Sequence, residues 1–173
     1  MRALAVIDSV SRVAAAIGAI LVFGIAALII SEVAARSLFG ASLSFAWEYA
    51  AYFYASAAFL GASYTMRTGG HVRVALLRGL LPERGQQLME IVATAIGTAF
   101  SLFLAFAMIQ FAWRSFVRGS TSPTIDATPL AIPQGVLAFG VTLLALQMVA
   151  RLIRLMAGHD AEDAAAREKF TVE

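Results

Sequence analysis

The side chains that usually carry chemistry are scarce in this sequence. There is no cysteine, so no thiolate can serve as nucleophile or metal ligand. The two histidines, His71 and His159, lie far apart in the sequence and outside every long apolar run. A metal or haem site inside a helical bundle would need inward-facing histidines. An isolated His71 more often makes a local or interfacial hydrogen bond. No HExxH, GxSxG, Walker-type or GxGxxG spacing occurs. The chemistry that remains is helix-end ion pairing, as between Glu32 and Arg36, and hydrogen bonding by scattered Ser, Thr and Gln. These residues predict no enzyme, no catalytic residue, no cofactor and no metal site.

The elements that would hold such residues are written in the distribution of charge. Of 173 residues, 60% are hydrophobic and 14% charged, against about 45–50% and about 25% in soluble domains. Mean hydropathy is +0.80. Asp, Glu, Lys and Arg are absent from four windows, Val13–Ser31, Tyr49–Met66, Ile91–Trp113 and Ala127–Ala150. A helix needs about 20 apolar residues to cross a hydrocarbon core about 30 Å thick. Backbone in lipid must satisfy its own hydrogen bonds, which selects helices. The expected fold is therefore all-α and integral to a membrane, with four transmembrane helices. One domain, residues 1–158, would carry spans at about 13–31, 49–66, 91–113 and 133–154, followed by a charged tail at 159–173. The first apolar run is longer than the 7–15 residues of a signal-peptide core, so it reads as a span. Net charge is only +2 and the basic residues are scattered, which argues against nucleic acid. The N-tail, second loop and C-tail hold ten Arg and Lys residues and the first and third loops three. The positive-inside rule then puts both termini in the cytoplasm.

Residues 1–12 read as a mixed-charge lead-in to helix 1. Glu32 and Arg36 are spaced for an ion pair at a helix end, although two separately solvated ends are the commoner outcome. Ser44 could cap helix 2, placing Glu48 in a first turn where a carboxylate is favoured. Trp47 and Tyr49 sit where aromatic belts sit. Within helix 2 the pairs Ala51/Ala55, Ala57/Gly61 and Ala58/Ala62 are each four apart, and small residues let helices approach closely in lipid. This predicts that helix 2 is the most protein-buried of the four and that Ala51, Ala55, Ala58, Gly61 and Ala62 are candidate subunit-interface residues. Thr68-Gly69-Gly70 breaks the helix, and residues 71–81 predict a short helix in the membrane interface before helix 3. Pro82 suits the first turn of helix 3, and Pro133 sets a start for helix 4. No ionisable group lies inside a window. A self-sufficient ion-coupled carrier usually places one in its pathway, so the residues alone read as a scaffold or accessory subunit.

The stretch Ser44–Leu77, SFAWEYAAYFYASAAFLGASYTMRTGGHVRVALL, carries a more specific pattern. Trp47-Glu48 before helix 2, Phe59–Ala62, Arg67, and Gly70-His71 followed by Val72 and Val74 are followed by GSTSPT…TPLAIPQG (Gly119–Gly135) and Leu143–Leu146. In this order they resemble the DctQ-like small membrane subunit of tripartite ATP-independent periplasmic (TRAP) transporters, over about Val13–Arg154. One departure is Tyr49, where many members carry a second acidic residue. The resemblance implies a bacterial inner-membrane protein beside a large multi-span permease subunit that carries the substrate and sodium sites and moves as an elevator. It also implies a periplasmic binding protein that delivers an organic acid. The small subunit would anchor the fixed scaffold, with membrane lipid around it. Trp47 and Glu48 would lie at the periplasmic boundary, and Arg67, Gly70, His71 and Arg73 at the cytoplasmic interface. The alternatives are an assembly or anchor subunit of another membrane complex and a stand-alone small carrier or membrane enzyme.

Overall fold

The computed structural model describes residues 2–68 and 82–157. The expected interfacial helix over 71–81, with Gly70, His71 and Arg73, and the tail at 159–173 lie outside the described residues. Four helices are described: α1 (Arg2–Phe39), α2 (Ser44–Arg67), α3 (Glu83–Arg118) and α4 (Ala131–Met156). Among them α1, α3 and α4 are long and apolar enough to cross a membrane. The tyrosines and serines of α2 lower its hydropathy below theirs.

α1 is longer than the sequence suggested. Residues 2–12 are part of the helix rather than a lead-in, because nothing in Arg2–Phe39 breaks it before Gly40. Its 38 residues span roughly 57 Å at 1.5 Å per residue. It ends where Gly40 takes a left-handed φ of +66°, a conformation that costs glycine little. The Gly40 N–H then reaches the Arg36 carbonyl at 3.2 Å. α3 ends in the same way at Gly119 (φ +60°), and the Ser120 N–H reaches back to the Ser115 carbonyl at 3.0 Å. Pro82 is the N-cap of α3, not a first-turn residue. α4 starts at Ala131, with Pro133 in its first turn, where its missing N–H leaves no hydrogen bond unmade.

In space the helices lie in the order α1, α2, α4, α3, with α1 also reaching α4. α2 is therefore the middle element, held between α1 and α4, and α3 packs chiefly on α4. α1 and α2 are antiparallel over the same depth, since Asp8 near the start of α1 meets Arg67 at the end of α2. One core cluster joins Ala14, Leu60 and Leu143, with Leu21 and Val136 against it. A second joins Ala105, Val141 and Ala145, with Phe59, Leu104 and Met108 against it. Within this chain α4, and not α2, is the most buried helix: ten of its residues are buried, against five of α2. The reason is position. α4 meets all three other helices, whereas α2 packs chiefly on α1 and α4 and leaves one face uncovered.

Glycines set the closest approaches. A Cβ on Gly140 of α4 would stand 2.9 Å from the Phe59 carbonyl carbon of α2, and one on Gly18 of α1 would stand 3.2 Å from the Ala57 carbonyl oxygen. In lipid, where packing replaces the hydrophobic drive, such contacts are a main source of association. A Cβ on Gly97 would meet only the flexible end of Met148, and one on Gly135 would meet nothing within 4 Å. Gly140→Ala should therefore destabilise the bundle by about 1–3 kcal/mol, with smaller losses for Gly97→Ala and none for Gly135→Ala. Thermal unfolding of the three variants in detergent checks that ranking.

Candidate functional site

Polar side chains gather at the two ends of the bundle. One end carries the α1–α2 turn at residues 40–43 and the α3–α4 loop at 119–130. There Glu32, only 2% exposed, takes three donors. It pairs with Arg36, four residues on. It accepts a hydrogen bond from the Ser42 hydroxyl at 2.8 Å and another from the Leu43 backbone N–H at 2.5 Å. Leu43 is the N-cap of α2 and makes no side-chain cap. The Glu32 carboxylate therefore satisfies the start of α2 from the neighbouring helix, a task assigned above to Ser44. A carboxylate at a helix N-terminus is also favoured by the helix dipole. The Glu32–Arg36 pair that spacing allowed is thus formed, and it is buried on the glutamate side rather than solvated.

Glu48 lies just ahead of the apolar run of α2, in its second turn rather than its first. It accepts hydrogen bonds from the Thr124 hydroxyl of the α3–α4 loop and, at 2.6 Å, from the Tyr52 hydroxyl one turn on. Ser122 and Thr124 share a further hydrogen bond of 2.6 Å. The loop itself is braced by a bridge between Thr121 and Pro129 and by Ser122 N–H to the Thr128 carbonyl at 2.9 Å. The Thr124 hydroxyl first, and the Tyr52 hydroxyl second, hold the Glu48 carboxyl down at about 2, from an ordinary 4.5. Trp47 beside it is 62% exposed, as an aromatic belt residue would be.

The opposite end carries a network that the sequence did not reveal. The Asp8 carboxylate lies between Arg154 of α4 at 2.9 Å and Arg67 of α2 at 3.5 Å. Gln147 of α4 donates to Asp8 at 3.1 Å and to the Ser11 hydroxyl at 3.0 Å. Gln147 and Ser11 are 1% and 0% exposed. Three helices are thereby tied at one point. The readable signal was the helical spacing: Asp8 and Ser11 are three apart, and Gln147, Arg151 and Arg154 recur at i, i+4 and i+7. Arg67, expected at the cytoplasmic interface, makes this ion pair with Asp8.

Between the two ends runs the uncovered face of α2. Ala51 and Ala58 are exposed and Ala55, Gly61 and Ala62 half-buried, with Tyr54 exposed at 71% among them. Ala51, Ala55, Ala58 and Ala62 form one stripe at helical spacing, and a Cβ on Gly61 would meet nothing within 4 Å. Helix 2 thus turns Ala57 and the backbone of Gly61 toward Gly18 of α1 and leaves Ala51 and Ala58 exposed on its other face.

Two outcomes test these networks. Asp8→Asn leaves two arginines facing each other at a largely buried point, and should cost about 2 kcal/mol or more in thermal unfolding. Because the Glu48 pKa is depressed in the folded chain, its contribution is present above about 4.5 and disappears as pH falls toward about 2. Wild-type thermal stability should therefore drop across that window by more than the stability of Glu48→Gln, whose neutral amide has no charge to lose.

Comparison with curated proteins gives no match. The family model for Tripartite ATP-independent periplasmic transporters, DctQ component, matches residues 25–158. That interval takes in Glu32, the whole of α2, the braced loop and α4 with Gln147 and Arg154, so most of both polar ends lies within it. With its long apolar helices and this match over more than half its length, the chain belongs to the DctQ family, the small membrane component of TRAP transporters.

Proposed function

We propose that this chain is the small permease subunit that widens and anchors the fixed scaffold of its transporter. A large elevator-type subunit of the same transporter works against that scaffold. The cargo would be an organic acid, delivered by a periplasmic binding protein and taken up with sodium. The chain would sit in a bacterial inner membrane with both termini in the cytoplasm, Trp47 and Glu48 at the periplasmic boundary, and Arg67, Gly70, His71 and Arg73 at the cytoplasmic interface. α2 would be the fourth span. Its 24 residues reach roughly 36 Å, and its serines Ser56 and Ser63 are buried within the bundle.

The observation that carries the reading is the family match taken together with the uncovered face of α2. Asp8, Glu32, Glu48 and Gln147 are committed to contacts at the ends of the chain's own helices, which suits a rigid support. A stripe of alanines is left facing outward on its middle helix, and small residues are what close helix packing in lipid requires.

Affinity purification of the tagged chain from its native membrane should bring down a large polytopic permease in near-equal amount. Ala58→Trp, or Gly61→Leu where the chain itself leaves room, should cut that recovery and the uptake of substrate while thermal stability of the isolated chain stays the same. Full recovery of the permease with both variants would remove α2 from the subunit interface. Normal uptake without the chain would remove the scaffold role.

A further inference from the structure

Beside the Glu48 link a cleft of about 270 Å³ opens between α1, α2 and the α3–α4 loop. Leu28 of α1 and Phe45, Tyr49 and Phe53 of α2 line it, and Asp126 of the loop joins them. The three aromatic residues recur at i, i+4 and i+8. The lined face therefore runs for two helical turns, roughly 12 Å, from the start of α2 into its apolar run. The rings of Phe45 and Tyr49 meet edge to face at 6.2 Å.

Asp126 is held where it is by the links already described. It lies in the turn closed by the Ala127 N–H on the Thr124 carbonyl at 3.1 Å, and Thr124 is tied to Glu48. The turn is followed by Ala127 at a φ of +45°, a strained conformation for a residue with a Cβ. Asp126 is exposed and has no ion-pair partner among the described residues.

An apolar groove that enters the membrane from one end, with an unpaired carboxylate at that end, is built for an amphiphile. The volume is below the roughly 300–1,000 Å³ of sites that enclose a small molecule, and it suits part of one hydrocarbon chain. The carboxylate repels an anionic headgroup and offers a charge-assisted hydrogen bond to an ammonium N–H. We infer that this cleft seats one acyl chain of a phospholipid whose primary-amine headgroup, that of phosphatidylethanolamine, pairs with Asp126. The lipid then fills the gap between α1 and α2 beside the braced loop and adds to the rigidity of that end. The inference rests on the membrane placement of the chain and not on its transport role.

The test is native mass spectrometry of the full chain released from detergent. It is titrated with phosphatidylethanolamine, phosphatidylcholine and phosphatidylglycerol of identical acyl chains. Wild type should retain the ethanolamine lipid about threefold more than the other two, the scale of a surface ion pair. Asp126→Asn should bring it down to the phosphatidylcholine level, and Leu28→Trp, which fills the cleft, should lower retention of all three. Equal retention of the three lipids by wild type would overturn the inference, as would an unchanged preference in Asp126→Asn or undiminished binding in Leu28→Trp. Helical content by circular dichroism confirms that each variant is folded. Because the measurement uses the chain alone, its outcome is separate from recovery of the large permease.

Discussion

The bundle depends on how closely α2 can be approached. Gly140 of α4 and Gly18 of α1 bring their backbones against Phe59 and Ala57 from two sides. The buried residues of the first core, Ala14, Leu60 and Leu143, come from the same three helices. Lipid tails compete on equal terms for any apolar side chain, so burying leucine gains little there. What distinguishes the folded bundle is dense contact between backbones, and only small residues permit it. α3 leans chiefly on α4, which leaves Phe100, Phe103 and Phe106 largely exposed. A water-soluble protein could not tolerate such a surface, whereas a helix in lipid can.

With packing assigned to small residues, the polar side chains are free to fix register and ends. Glu32 completes the start of α2 from the end of α1, and Asp8 joins the start of α1 to the ends of α2 and α4. Asp8 and Glu32 are 24 positions apart on one helix, roughly 36 Å. That is close to the thickness of a hydrocarbon core with part of its headgroup layers. The two networks are thus spaced as two interfaces are, and the helix between them carries no charge except Arg12 beside the Asp8 end. Each network also resists sliding of one helix past another, because a one-turn slip would separate a buried charge from its partners.

A third link reaches across the bundle. Thr124 comes from the loop between α3 and α4, and Glu48 from the first turns of α2. The loop has little apolar anchorage, with Ile125 92% exposed at its turn. Its backbone bridge and the Glu48 hydrogen bonds therefore do the holding. The same tether places Asp126 beside the cleft and leaves the small-residue face of α2 clear. One end of the molecule is in this way both braced and open to other molecules.

Much of this was legible from residues alone. Charge-free windows locate the apolar helices because a bilayer penalises every ionised group within it. Glycine and proline mark the helix ends because φ and missing N–H groups are properties of single residues. The family resemblance rested on an ordered set of local motifs and held over residues 25–158. The rest required the folded chain. That Asp8 belongs inside α1, opposite Arg67 and Arg154, depends on contacts spanning 59 and 146 positions, and no local pattern reports them. That Glu32 and not Ser44 caps α2 depends on the turn at 40–43 folding back. The alanine pairs of helix 2 showed that something packs there. Only the arrangement of neighbours showed that α1 takes Ala57, that α4 is the most buried helix, and that Ala51 and Ala58 stay exposed. Composition and spacing act within one helix, whereas the choice of which face meets which neighbour is made by all four helices at once.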